Sequence, residues 1–139
     1  MSNQANKILP ATEYIRDDNG EFYLSGLQCK NCNSIFIGKR STCAKCFSSN
    51  SLMEIKLGNT GKLYSYSIVH RSFPGVDVPY ISAIVDLDGG GTIKGNLIGI
   101  DANPDNIKFD MQLKLIFQDA LGRKDKDGNS YVSYFFEPI

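Results

Sequence analysis

The sequence predicts an all-β protein in two parts, a small metal-held lobe followed by a five-stranded barrel. Three observations carry that reading. All four cysteines of the 139-residue chain lie between positions 29 and 46, in two C-x-x-C pairs with ten residues between them. From Gly61 onward, short β-rich segments recur between turn signals. Hydrophobic residues make up 42% of the chain, enough for a packed core in one domain of ordinary size or a small domain attached to a modest one.

The first twenty residues, "MSNQANKILPATEYIRDDNG", show weak periodicity, and positions 1–21 are expected to form an extended arm or a short helix. They lack the charged-then-apolar layout of a signal peptide. No apolar run in the chain approaches the roughly 18 residues of a membrane span. The expected compartment is therefore the cytoplasm, where thiols stay reduced and clustered cysteines serve as metal ligands more often than as disulfides.

Residues 22–50 are expected to form a zinc ribbon. "EFYLSGLQC" alternates as a strand does, and "NSIFIGKRST" can make a short hairpin, with Gly38 allowing the turn. A C-x-x-C knuckle aims backbone N–H groups at the sulfurs. Two such pairs, Cys29 with Cys32 and Cys43 with Cys46, supply a closed tetrahedral thiolate site, which is structural rather than catalytic. The spacer is shorter than the common one of about 15–20 residues. Iron in a rubredoxin-like site, a redox dithiol and a metal-free ribbon are the competing readings. Four thiolates around a dication leave a local charge of about −2. Lys30, Lys39, Arg40 and Lys45 stand near enough in sequence to offset it or, less favoured, to form a phosphate-binding patch. A lobe this small draws much of its stability from the metal.

Residues 51–139 are expected to hold the barrel. "FSSNSLMEIKLGNT" before Gly61 reads as a connector whose middle pairs with the ribbon or the barrel. "GKLYSYSIVHR" alternates, with Tyr64, Tyr66 and Ile68 on one face and Leu63, Ser65, Ser67 and Val69 on the other. "PYISAIVDL" begins at Pro79, a residue suited to a strand start. The "DGGGT" that follows reads as a turn more readily than as a phosphate cradle. "TIKGNLIGI" is the third strand. Asn103 and Pro104 are the N-cap and first residue of a single helical turn. "MQLKLIFQD" and "YVSYFFEPI" are the fourth and fifth strands. They flank the polar loop "GRKDKDGNS", whose glycine falls too early for a calcium-binding hand. Five short strands with one brief helix between the third and fourth match an OB-type Greek-key barrel.

The ordered series of a four-cysteine ribbon, "GKLYSYSIVHR", "PYISAIVDLDGG" and "GNLIG" resembles the rubredoxin-like zinc-ribbon plus OB-fold proteins grouped as domain of unknown function thirty-five. The resemblance covers about residues 22–118. The chain departs from the family in having no proline before its second cysteine pair. Members are small accessory subunits of thiolase-superfamily acyltransferases and related acyl-CoA enzymes, benzoylsuccinyl-CoA thiolase among them. The resemblance therefore implies a structural Zn2+, a thiolase-like catalytic subunit as hetero-oligomeric partner, and an acyl-CoA substrate shared with that partner. Since some members lack the cysteines, it implies no catalytic role for the metal.

The residues of the chain agree with a non-catalytic part. The ribbon consumes every thiol, one histidine remains, and no nucleophile-elbow, P-loop or zinc-protease pattern occurs. His70 and Arg71 are expected to edge a partner or ligand surface, or else simply to end a strand. In "RSFPGVDVPY", Phe73 and Tyr80 are the apolar anchors expected to dock on a partner, with a barrel plug as the alternative. The competing function is a single-stranded nucleic-acid module in which Tyr64, Tyr66 and Phe73 stack on bases. Fifteen basic residues against fifteen acidic ones argue against it, because phosphate neutralisation needs clustered cations. A rubredoxin-like electron carrier is the third and weakest reading.

Overall fold

A computed structural model describes residues 8–139. The chain runs through β1 (Ile8–Pro10), β2 (Ile15–Asp18), β3 (Glu21–Cys29), β4 (Ile35–Ile37), β5 (Leu52–Lys56), β6 (Thr60–Val69), β7 (Tyr80–Leu87), β8 (Thr92–Leu97), a 3-10 turn (Pro104–Asn106), β9 (Gln112–Lys124) and β10 (Ser130–Pro138). Among the described residues no helix is long and apolar enough to cross a membrane.

The last five strands are the barrel. Neighbours pair in the order β10-β8-β7-β6-β9, and a long antiparallel ladder between β9 and β10 closes it. The contact of β8 with β10 is parallel, as a Greek-key return requires. Leu63, Val85, Leu113 and Phe136 fill the interior and are fully buried. The 3-10 turn forms where the sequence signals it, with the Asn103 side chain accepting the Asp105 N–H at 3.0 Å and Pro104 at the first position.

One expectation for β6 fails. Leu63 is buried and Tyr64 is 64% exposed, yet Tyr66 and Ile68, two and four positions beyond Tyr64, pack against the core. A register shift against β7 between Leu63 and Ser65 explains this. The irregularity swaps the faces of the strand, so Tyr64 does not share a face with Tyr66 and Ile68. A proline-free β-rich segment gives no warning of such a bulge.

The preceding strands form a second sheet. β3 is its spine, pairing with β2 through its first half and with β4 and β5 through its second. The connector at 47–60 thus pairs with the ribbon side through β5. The expectation of an arm or short helix at 1–21 falls partly outside the described residues. The described part is extended, with β1 lying parallel on β10 and β2 antiparallel on β3. Buried Ser25 donates its hydroxyl to Glu54 Oε1 at 2.6 Å, and Arg16 Nε reaches the same oxygen at 3.2 Å. These two contacts hold the Glu54 carboxyl below its ordinary range, the hydroxyl contributing most.

The two sheets share one core. Ile35 and Ile37 of β4 pack against the cluster that contains Leu57, Leu63 and Phe136. The contact is possible because the β7–β8 turn is glycine. A Cβ on Gly90 would stand 2.5 Å from Ile35 Cδ1, and its φ of +120° suits no other residue. The "DGGGT" segment is therefore a turn as expected, and its glycines are also the surface on which the ribbon sits.

Candidate metal centre and partner cleft

The first knuckle turns at Asn33, whose N–H bonds Cys29 O at 2.8 Å. The second repeats it at Phe47, whose N–H bonds Cys43 O at 3.0 Å. Asn33 and Phe47 both adopt positive φ, 65° and 62°. These turns bring the four Sγ atoms to within 4.8 Å of one another. Cys29 Sγ lies 3.7 Å from Cys46 Sγ, and Cys32 Sγ lies 3.6 Å from Cys43 Sγ. A tetrahedron of thiolates around zinc, with metal–sulfur bonds of about 2.3 Å, has edges of about 3.8 Å. The donor set and its spacing therefore fit a tetrahedral metal ion.

The surroundings favour the thiolate form at Cys29 and Cys46; at Cys43 the Cys46 N–H favours it too, but burial and the neighbouring Cys32 and Cys46 thiols outweigh it and push that thiol up. The N–H groups of Lys45 and Cys46 both point at Cys43 Sγ at 3.4 Å. Ser51 Oγ sits 3.4 Å from Cys29 Sγ, and this contact, opposed by burial, lowers that thiol to about 5. The Ser48 hydroxyl, 3.0 Å from Cys46 Sγ, is the main cause lowering Cys46 to about 7. These serines come from the segment after the second knuckle, which the sequence marks only as polar. Of the four cations named for charge compensation, Lys39 pairs with Glu13 at 3.7 Å and Arg40 lies over the Phe36 ring at 4.4 Å.

A second feature lies on the barrel. Loop 70–79 opens a cleft of about 780 Å³ that contains Phe73 and Tyr80. Phe73 is 83% exposed, so the loop does not plug the barrel. His70 and Arg71 are exposed but do not line this cleft. The structure thus brings together two of the four residues proposed from sequence. Leu121 and Arg123 of β9, Asn96 of β8 and Phe135 of β10 line it too. The same four residues also line a second cleft of about 540 Å³, with Tyr14, Lys94 and Tyr134. Sequence reading missed Leu121 and Arg123 because it ended the fourth strand at Asp119 and began a polar loop at Gly122, whereas β9 runs on to Lys124. Gly122 inside a strand was the available signal, since such a glycine marks a bulge or a close approach.

A four-thiol ribbon packed on an OB-type barrel defines the class of protein. Comparison with known proteins narrows it. Residues 54–118 match the family described as the C-terminal OB-fold domain of ChsH2. The chain is 33% identical over 120 residues to a DUF35 domain-containing scaffold protein of Methanocaldococcus jannaschii, an alignment covering 85% of this chain and 83% of the relative. It is 32% identical over 124 residues to the benzoylsuccinyl-CoA thiolase subunit BbsA of Geobacter metallireducens, covering 88% and 79%. A solved structure, the Ltp2-ChsH2(DUF35) aldolase, superposes with a TM-score of 0.65 at 27% identity, covering 84% of each chain. The chain belongs to the DUF35 family.

Proposed function

We propose that the chain is a non-catalytic accessory subunit of a thiolase-superfamily acyl-CoA acyltransferase complex. In this reading Cys29, Cys32, Cys43 and Cys46 hold a structural Zn2+. The catalytic cysteine and acid–base residues belong to a thiolase-like partner. The chain stabilises that partner and helps form the acyl-CoA site, working in the cytoplasm. The observation that carries the reading is the similarity, along most of both chains, to a scaffold protein and to a thiolase subunit. It is supported by the convergence of every thiol in the chain on one point, which leaves no spare thiol. The division into an arm at 1–21, a ribbon at 22–50 and a barrel at 51–139 belongs to the same proposal. The pairing of β5 with β3 argues for moving the ribbon's end past residue 50.

Loop 70–79 is the proposed partner surface, with Phe73 and Tyr80 as anchors and Arg71 and His70 at its edge. A stable interface needs about 1,200–2,000 Å² of buried surface, which a two-part shape can supply. The test is reconstitution with the thiolase-type subunit of the same genome, followed by gel filtration and acyl-transfer assay. The complex is expected to be active and the isolated chain inactive. Phe73→Ala is expected to leave the fold intact and weaken assembly by about 2 kcal/mol or more. Acyl transfer by the isolated chain would overturn the reading, as would failure of the pair to associate.

A further inference from the structure

We infer that the β9 bulge, residues 120–123, is a built docking element for a protein partner that offers a carboxylate beside an apolar side chain. The inference deepens the accessory-subunit reading and rests on it.

The bulge is a designed departure from the ladder. Asp119 pairs with Val132 and Lys124 with Ser130, so five steps along β9 face two along β10. The excess chain is held in place. Ala120 is buried at its base, and the Gly122 N–H donates to Asp119 Oδ2 at 2.6 Å. Leu121, at its crest, has a φ of 56° and is 65% exposed. A left-handed backbone is unfavourable for a bulky side chain. Leu121 gains no compensating burial within the chain. Strain kept at an exposed apolar residue is what a binding surface retains and a folding core does not.

Within the bulge stands a guanidinium, Arg123, that forms no ion pair among the described residues. Among the described residues the three ion pairs use Arg16, Lys39 and Lys114. Arg123, which lines both clefts, and Lys94, which lines one, are in none of them. The acidic groups nearby are Asp119, engaged by Gly122, and Asp77, which lines the cleft from the opposite loop. Phe73 and Leu121 line the same cleft. An apolar slot with a guanidinium at its edge suits a hydrophobic side chain with a neighbouring carboxylate. Two cations set against two acids do not make the cationic track that a nucleic-acid backbone requires.

The experiment titrates the full chain against the thiolase-type subunit at low and high salt, and separately against a labelled single strand of about 15 nucleotides. Arg123→Glu is expected to weaken subunit binding at least about tenfold and to remove most of its salt dependence. Arg123→Lys, which keeps the charge but not the planar fork, should bind more tightly than Arg123→Glu and keep the salt dependence. Leu121→Asn is the folding control, because Asn tolerates a left-handed φ. It should melt no lower than wild type and yet bind at least about fivefold more weakly. Wild-type affinity in both Arg123→Glu and Leu121→Asn, with wild-type protein binding normally, overturns the bulge inference alone. No binding by wild type overturns the accessory reading and this inference with it. Oligonucleotide binding that Arg123→Glu abolishes while subunit binding persists assigns the surface to nucleic acid and overturns it too.

Discussion

The ribbon and the barrel bury different things. Between Cys29 and Cys46 the only fully buried residues are Cys29 and Cys43. The barrel buries Leu63, Val85, Leu113 and Phe136, each at 0% exposure. The knuckles thus have thiols where the barrel has hydrocarbon. The knuckle segment, which fully buries no hydrocarbon side chain, holds its shape only if something else offsets its conformational entropy, and a metal bond can do that. The difference teaches that one chain can use two sources of stability, each legible from which side chains are buried.

The largest expected effect breaks the ribbon's source. Metal binding in zinc-finger peptides is worth about 10–16 kcal/mol. Cys43→Ser removes a fully buried ligand, and it should abolish zinc retention measured by elemental analysis. The protein should be insoluble or partner-free. If the variant stays folded, keeps its partner and loses only turnover, the ribbon is not structural. The matching change in the barrel is smaller. Phe136→Ala should cost about 3–5 kcal/mol by urea titration, through lost burial and the cavity left behind. Zinc should remain bound below the transition.

Gly90→Ala tests whether the two parts are independent. The added methyl would meet Ile35 Cδ1 at 2.5 Å, and the φ of +120° disfavours any side chain. A loss of about 1–3 kcal/mol is expected, the usual range for overpacking. Hydrogen exchange should show weakened protection on both the ribbon strand at Ile35–Ile37 and the barrel strands flanking the turn. Loss confined to the barrel would mean that the lobes do not share a core.

The sequence revealed most where chemistry is local. C-x-x-C spacing specifies a metal site because the knuckle geometry lies within a few residues, and Asn103-Pro104 specifies a helix start for the same reason. The five barrel strands follow from their composition and the turns between them. What escaped depends on partners distant in sequence. The face swap at Leu63–Ser65 is set by pairing with β7, and the bulge at 120–123 by the register of β10. The role of Ser48 and Ser51 beside the sulfurs appears only when the second knuckle folds back on the first. Pairing of β5 with β3 rather than with the barrel is likewise a choice that composition leaves open.

The last and smallest effect concerns the join between the N-terminal segment and the barrel. Tyr14 lies between β1 and β2, and its ring centroid is 6.0 Å from that of Tyr134 in β10. The two hydroxyls are 3.3 Å apart, and Tyr134 also donates to the Lys94 carbonyl. Burial, and secondarily the neighbouring Tyr14 hydroxyl, push the Tyr134 phenol well above its ordinary value of 10.0. A raised folded value means that folding favours the protonated form. The contribution is complete below about pH 10, where the unfolded tyrosine is also neutral, and it declines as pH rises above that point toward the folded value. Tyr134→Phe removes the titrating group and one hydrogen bond, so it should be less stable than wild type near neutrality by about 0.5–1.5 kcal/mol. Its stability should then fall less steeply than that of wild type between about pH 9 and pH 11. Urea midpoints across that interval check the sign. Parallel curves would mean that the hydroxyl titrates alike in both states, and that the contact between the N-terminal segment and the barrel rests on ring packing alone.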